Sequence, residues 1–221
     1  DMREEGERAV VLIGGEVGIG KTRLSMEALD YARRKGFLTL QGSCLFTEGP
    51  EPYLPFIEAI GRYLESRDEE EHQRLDKFIR DEAPELKDLI PRFMTMIRTR
   101  RSMGLIHPDE TIATSRERLF EAITQVLLFF SRGTRVCLLL EDLQWADSGS
   151  LQLLYYIGRT ARAQSLIILG TYRVEDLIPD ADGTPNSLLE TMQRMSREEI
   201  FRKIELKGLG FEATNLLVRF I

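Results

Sequence analysis

A glycine-rich segment near the start of the chain has the residue types and spacing of a phosphate-binding loop. Residues 15–22 read GEVGIGKT and match G-x-x-x-x-G-K-[S/T] at every fixed position. Glycines let backbone N–H groups turn toward phosphate oxygens, and a following helix adds the positive end of its dipole. Lys21 supplies a mobile cation for the β- and γ-phosphates, and the Thr22 hydroxyl is suited to Mg²⁺. The segment therefore predicts binding of a nucleoside triphosphate.

Two adjacent acids, Glu141 and Asp142, end the apolar run 136–140. The carboxyl ends of parallel strands converge on the ligand crevice of an α/β sheet, so these acids are expected to face the phosphate loop. One carboxylate can hold Mg²⁺ through its water shell, and the other can orient or polarise the attacking water. Hydrolytic ATPases of this general type more often have Asp followed by Glu. The shorter side chain in the water-orienting position predicts slow turnover.

Alternating strand and helix patterns must position these residues. Five short apolar runs alternate with segments of helical periodicity, and the first two runs flank the loop and its helix. That helix is expected at 22–34, with Leu24, Ala28 and Tyr31 on one face. Such βαβ units imply a parallel sheet with right-handed crossovers, so the sequence predicts an open α/β sandwich.

One long segment, residues 44–113, has no convincing strand. Its apolar residues recur at helical spacing, most clearly from Leu86 to Ile97, and predict a helical insertion between the second and third strands. We expect a single core over residues 1–221 that contains this insertion. Because the chain starts at Asp1 and stops inside a helical pattern, we also expect it to be a piece of a longer multidomain protein.

Composition excludes several classes of protein. The 30 basic and 36 acidic side chains give a net charge of −6, which argues against direct nucleic-acid contact by this segment. No apolar run approaches the roughly 20 residues that span a bilayer, and two cysteines do not make a disulfide scaffold. We therefore expect a cytoplasmic protein without membrane contact. His72 and His107 both fall in the insertion, so no Ser-His-Asp or histidine metal site is expected.

Four segments, taken in order, resemble the signal-transduction ATPases with numerous domains, which are close to the AAA-type ATPases. Within that family the chain is most similar to the ATPase modules of LuxR-type regulators and of adenylate-cyclase-linked proteins. The segments are GEVGIGKTRL at 15–24, PYLPF with Glu58 and Ala59 at 52–59, LEDLQWAD with Ser150 and Leu151 at 140–151, and GTYR at 170–173.

The resemblance implies a P-loop NTPase three-layer sandwich with a five-stranded, mostly parallel sheet of order 5-1-4-3-2. It would place Thr171 and Arg173 beside the γ-phosphate as a sensor, although from the residues alone Arg173 could equally be a surface arginine. We expect Trp145 to pack over the acidic strand end, and Asp147 to cap the helix that follows.

The resulting site residues fall into three groups. The nucleotide-contacting residues are expected to be Gly15, Glu16, Val17, Gly18, Ile19, Gly20, Lys21, Thr22, Arg23 and Thr171. The catalytic residues are expected to be Lys21, Glu141, Asp142 and Arg173. The Mg²⁺ ligands are expected to be Thr22, Glu141 and Asp142.

These observations favour a slowly hydrolysing, Mg²⁺-dependent ATPase that acts as a regulatory switch. Its expected partners are ATP and ADP, other domains of the same parent chain, and further copies in nucleotide-dependent self-association. A scaffold that binds ATP without hydrolysing it, and a DNA-associated ATPase of the origin-recognition kind, are alternatives. A GTPase is less favoured because no Asn-Lys-x-Asp segment follows a late strand, and nothing identifies the acceptor site or lid of a small-molecule kinase.

Overall fold

The structure is a computed structural model that describes residues 9–45, 52–65, 69–82, 116–161, 166–178, 186–208, 210 and 215. Strands and helices alternate in the order that the sequence predicts. The strands are β1 (Val10–Gly15), β2 (Leu38–Ser43), β3 (Val136–Glu141), β4 (Leu166–Arg173) and β5 (Phe201–Glu205). The helices are α1 (Lys21–Arg34), α2 (Leu54–Glu65), α3 (Glu69–Glu82), α4 (Arg116–Phe130), α5 (Ser148–Thr160) and α6 (Ser187–Arg197).

The five strands form one sheet of order β2-β3-β4-β1-β5, and every pairing within it is parallel. In register, Leu12 of β1 lies beside Gly170 of β4, which lies beside Leu140 of β3. The predicted order 5-1-4-3-2 is confirmed, with β4 between the strand that precedes the phosphate loop and the strand that ends in the acids. All five carboxyl ends therefore share one edge of the sheet.

Helices cover both faces of the sheet and make the three-layer sandwich. On one face, Leu29 of α1 packs with Val11, Leu139 and Leu169. On the other face, the alternate strand residues, such as Leu138, join a larger cluster with α2, α3, α4, α5 and α6. The central strands are buried on both faces, which explains why their sequences are continuous apolar runs rather than alternating ones.

The buried face of α1 differs from the expectation, which was wrong for two of its three residues. Leu24 is 38% exposed and Tyr31 is 57% exposed, while Ala28 is half-buried. The buried residues of α1 are Lys21, Ser25, Leu29 and Ala32. The Lys21 ammonium is bound within the phosphate loop, so the face of the helix that carries Lys21 is the buried one. Residues spaced by about one, two and three turns from Lys21 then face the sheet.

Helix α2 packs tightly on the edge strand β2. A Cβ built on Gly42 would lie 1.8 Å from the carbonyl oxygen of Pro55, so only glycine permits this approach. Glu58 Oε2 accepts a hydrogen bond of 2.8 Å from the Ser43 N–H at the end of β2. The PYLPF segment and its following glutamate thus attach α2 to the sheet.

The insertion is described only in part. Helices α2 and α3 lie between β2 and β3 along the chain, but residues 46–51, 66–68 and 83–115 lie outside the described residues. The expected helix from Leu86 to Ile97 is among them. The single core over 1–221 with a wholly helical 44–113 therefore stays a prediction.

Candidate active site

The phosphate loop joins the end of β1 to the start of α1 at the carboxyl edge of the sheet. Gly18 and Gly20 have φ values of 76° and 104°, in the region that glycine reaches without strain. Gly20 is the N-cap of α1, and no side chain caps this helix end. The first N–H groups of a helix have no intrahelical acceptor, so they can donate to an anion bound in front of the helix.

The Lys21 side chain is hydrogen-bonded to the backbone of the phosphate loop. Its Nζ atom donates to the carbonyl oxygens of Gly15 at 2.8 Å and Glu16 at 2.7 Å, and the residue is only 8% exposed. An ammonium group has three N–H donors, so these two bonds leave one for a phosphate oxygen. The long side chain is thereby immobilised before a ligand arrives, which lowers the entropic cost of binding.

Each acid at the end of β3 has its own amide partner. Glu141 Oε2 accepts from the Gln41 side chain of β2 at 2.7 Å. Asp142 Oδ1 accepts from the Gln144 side chain at 3.0 Å, and the Asp142 N–H donates to Thr171 Oγ1 at 3.1 Å. The two carboxylates are therefore oriented independently of each other.

Asp142 adopts a backbone conformation that is uncommon for its type. Its φ and ψ are 57° and 47°, in the left-handed region. This conformation costs a non-glycine residue about 1 kcal/mol, and such residues cluster at functional sites. The bonds to Thr171 and Gln144 hold the turn in place.

The end of β4 brings two further predicted residues to the same edge. Thr171 is 3% exposed and is fixed by its bond to Asp142, while Arg173 lies in register with Gly15, the first residue of the loop. The Arg173 guanidinium stacks over the Trp145 ring, with 4.6 Å from Cζ to the ring centroid. The predicted catalytic residues Lys21, Glu141, Asp142 and Arg173 thus follow three neighbouring strands.

Gln144 was not predicted as a functional residue, yet it joins two parts of the site. Its Nε2 donates to Asp142 Oδ1, and its Oε1 accepts the Arg173 N–H at 3.1 Å. Reversing the amide would set an oxygen against a carboxylate and an NH₂ against an N–H, so both contacts require this orientation. In the sequence, the only indication of this role is that Gln144 is a polar residue in the short turn immediately after the acids.

Gln41 was also not predicted as a functional residue, although the sequence shows an amide side chain inside an otherwise strand-like run.

The two structural expectations nearby are confirmed. Asp147 caps α5, where its Oδ1 accepts the Ser150 N–H at 2.9 Å. Trp145 is half-buried and packs against the large core cluster, as expected of a packing residue.

Residues 1–169 match the family described as AAA ATPase domain. The chain belongs to this family. No curated protein matches the sequence significantly.

Several solved structures are similar to this AAA ATPase domain. AMPPCP-bound DnaA from Aquifex aeolicus has a TM-score of 0.42 and 16% identity, over 95% of this chain and 43% of that one. A second structure, itself described as an ATPase domain, has a TM-score of 0.34 and 13% identity, over 85% of this chain and 68% of that one. The chain thus spans less than half the length of the DnaA structure that it matches.

The described part of this AAA ATPase domain contains neither an activated thiol at Cys44 nor a cluster of metal-binding side chains. Burial, followed by the negative charges of Asp147, Asp142 and Glu58, raises the pKa of the Cys44 thiol to about 12. Cys44 is therefore a thiol and not a nucleophilic thiolate at neutral pH. No group of three or more His, Cys, Asp or Glu side chains among the described residues could hold a metal ion by itself. Those residues also contain no helix long and apolar enough to cross a membrane.

Proposed function

We propose that this AAA ATPase domain hydrolyses ATP slowly with Mg²⁺ and acts as a regulatory switch. The proposal rests on one observation. The carboxyl ends of the neighbouring strands β1, β3 and β4 carry the Lys21 loop, the Glu141–Asp142 pair and Arg173. Phosphate binding, metal binding and water activation need such groups within one small volume.

The phosphate loop is proposed to hold the β- and γ-phosphates. Its inward N–H groups, the start of α1 and the remaining Lys21 donor all favour negative charge. The assignment covers Gly15, Glu16, Val17, Gly18, Ile19, Gly20, Lys21, Thr22 and Arg23, together with Thr171 at the end of β4.

The metal would be held by oxygen ligands alone. The hydroxyl of Thr22 and the carboxylates of Glu141 and Asp142 are hard donors of the kind that Mg²⁺ prefers, so the residues present fit this ion. When bound, the ion supplies positive charge for the phosphate oxygens during phosphoryl transfer. The 2.7 Å hydrogen bond from Gln41 uses Oε2 of Glu141, so the other carboxylate oxygen of Glu141 lies outside this bond.

Asp142 is proposed to orient the attacking water. It is one methylene shorter than glutamate, and its carboxylate is already bound by Gln144 on Oδ1. Both features restrict its reach toward a water, which supports slow turnover. Arg173 is proposed to respond to the γ-phosphate, because its strand end lies beside the first residue of the loop.

The switch role rests on the four-segment resemblance to ATPase modules of LuxR-type and adenylate-cyclase-linked proteins. Under this proposal, the chain is one ATPase core of a longer multidomain protein, and its nucleotide state controls the attached domains or self-association. The coupling would run through Arg173 and Gln144, because they join the γ-phosphate side of the site to the acidic turn.

Replacing Lys21 by Ala tests the phosphate site. We expect ATP affinity to fall by about tenfold to a hundredfold, the effect of losing a charge-assisted hydrogen bond. Lys35→Ala is the matched control, because Lys35 follows the far end of the same helix and lies over the exposed Tyr31 ring. Equal ATP affinity and turnover in the wild type and Lys21→Ala would refute the proposal.

A scaffold that binds ATP without hydrolysing it is the second candidate. The constrained and shortened Asp142 favours it. Phosphate release separates the two functions: equal, background-level rates from the wild type and Asp142→Asn would favour the scaffold.

A further inference from the structure

A residue outside the phosphate-loop motif contacts the loop from the β4 side. The Val17 N–H donates to Glu175 Oε1 at 2.8 Å, across 158 positions of sequence. Glu175 opens the short helical turn Glu175–Leu177 that follows β4. The contact therefore joins the middle of the loop to the strand that carries Thr171 and Arg173.

The Val17 side chain does not anchor the middle of the loop. That side chain is 65% exposed, so burial does not hold the middle of the loop. The nearby backbone bond from the Ile19 N–H to the Glu16 oxygen is long, at 3.3 Å. The Glu16–Val17 peptide group is thus held on its oxygen by Lys21, at 2.7 Å, and on its N–H by Glu175, at 2.8 Å.

The carboxylate is held in its charged form. Its own backbone N–H, the Val17 N–H and the positive charges of Lys21 and Arg173 lower the pKa of Glu175 below its ordinary value. The second oxygen, Oε2, is buried and has no hydrogen-bond partner among the described residues. Glu175 as a whole is half-buried and its bond to Val17 is exposed, so Oε2 is the one carboxylate oxygen shielded from water. A shielded oxygen without a partner calls for an explanation.

We propose that Glu175 is a positioning residue that ties the phosphate loop to the end of β4, so that the loop keeps the shape that receives a nucleotide phosphate. This rests on the proposed function, because it assumes that the loop binds phosphate. The tether also links the loop mechanically to Arg173, two residues earlier in the chain.

Hydrogen bonding and charge act in opposite directions at this position. The bond to Val17 favours the receptive loop, whereas a negative charge near Lys21 opposes the incoming phosphates. Glutamine keeps the acceptor and removes the charge, alanine removes both, and aspartate keeps the charge but is too short to reach. These three variants separate the two effects.

The first readout is hydrogen exchange of the Val17 amide in the full chain without nucleotide. We expect exchange to be about tenfold faster in Glu175→Ala and Glu175→Asp, the effect of one lost bond to a charged acceptor. Glu175→Gln is expected to stay within about threefold of the wild type. Asp176→Ala, an exposed position in the same turn, is the control and should leave Val17 exchange unchanged.

The second readout is ADP affinity. We expect Glu175→Asp, which loses the bond and keeps the charge, to bind ADP about tenfold more weakly. Glu175→Ala, which loses both, should be weakened less, by about threefold, and Glu175→Gln should bind ADP as tightly as the wild type or more tightly. Unchanged Val17 exchange in Glu175→Ala, or a Gln variant as weak as the Ala variant, would overturn the tether. Because exchange is measured without nucleotide, this outcome is distinct from a wild type that binds no nucleotide, which would overturn the proposed function.

Discussion

Replacing Gln144 by Glu would set a second carboxylate against Asp142 without altering the shape of the side chain. The wild-type amide donates to Asp142 Oδ1 at 3.0 Å and accepts from the Arg173 N–H at 3.1 Å. The variant keeps the acceptor toward Arg173 and replaces the donor toward Asp142 with a negative charge. The perturbation is therefore confined to the carboxylate that we propose to orient water.

The distance sets the size of the effect. Two unit charges about 3 Å apart repel by roughly 5 kcal/mol at an effective dielectric constant of about 20. Both side chains are half-buried, so solvent screening reduces this to about 3 kcal/mol. We expect this repulsion to displace the Asp142 carboxylate and to lower the rate by up to roughly a hundredfold. A proton shared between the two carboxyl groups removes the repulsion. We therefore expect hydrolysis to fall at pH 8 and to recover partly as the pH is lowered toward 6.

The assay is single-turnover phosphate release between pH 6 and pH 8, with ATP affinity measured alongside. Gln144→Leu loses the donor without gaining a charge, so its rate should be low at every pH. Gln193→Glu makes the same chemical change on the exposed side of α6 and serves as the control. A Gln144→Glu variant with the wild-type rate and pH profile would refute the proposed role of Gln144.

Two further predictions concern the fold that positions the site. Gly42→Ala should destabilise the protein by about 1–3 kcal/mol in urea unfolding, because its Cβ would meet an α2 carbonyl oxygen at 1.8 Å; Gly133→Ala, in open space, should not, and equal losses would contradict the close packing of α2. Leu29→Ala should cost about 2–5 kcal/mol and Leu24→Ala within about 0.5 kcal/mol, since only Leu29 is buried. The reverse order in thermal unfolding would show that the face of α1 is wrongly assigned.

The parts of the site that depend on topology could be predicted from the sequence. A buried strand followed by a glycine loop, and a second buried strand ending in two acids, must present both features at one edge of a parallel sheet. Neither the loop nor the acids requires detailed side-chain packing for this inference. The strand order came from the resemblance, and the structure confirms it.

The residues that orient the site could not be predicted in this way. Gln41 and Glu141 are 100 positions apart, and Val17 and Glu175 are 158 apart. The first contact depends on strand register and the second on the fold of the loops after β1 and β4, and periodicity reveals neither. The buried face of α1 was misjudged because it carries a buried lysine and a buried serine, Lys21 and Ser25, which hydrophobic periodicity does not single out.

The most direct test of the central claim is single-turnover phosphate release from ATP by the wild type and by Asp142→Asn, each with and without Mg²⁺. We predict slow release by the wild type that requires Mg²⁺. In Asp142→Asn, release should be at least about a hundredfold slower, while ATP affinity changes only severalfold. Equal rates from the two proteins, or release that is indifferent to Mg²⁺, would contradict the proposal that this domain is an ATP-hydrolysing switch.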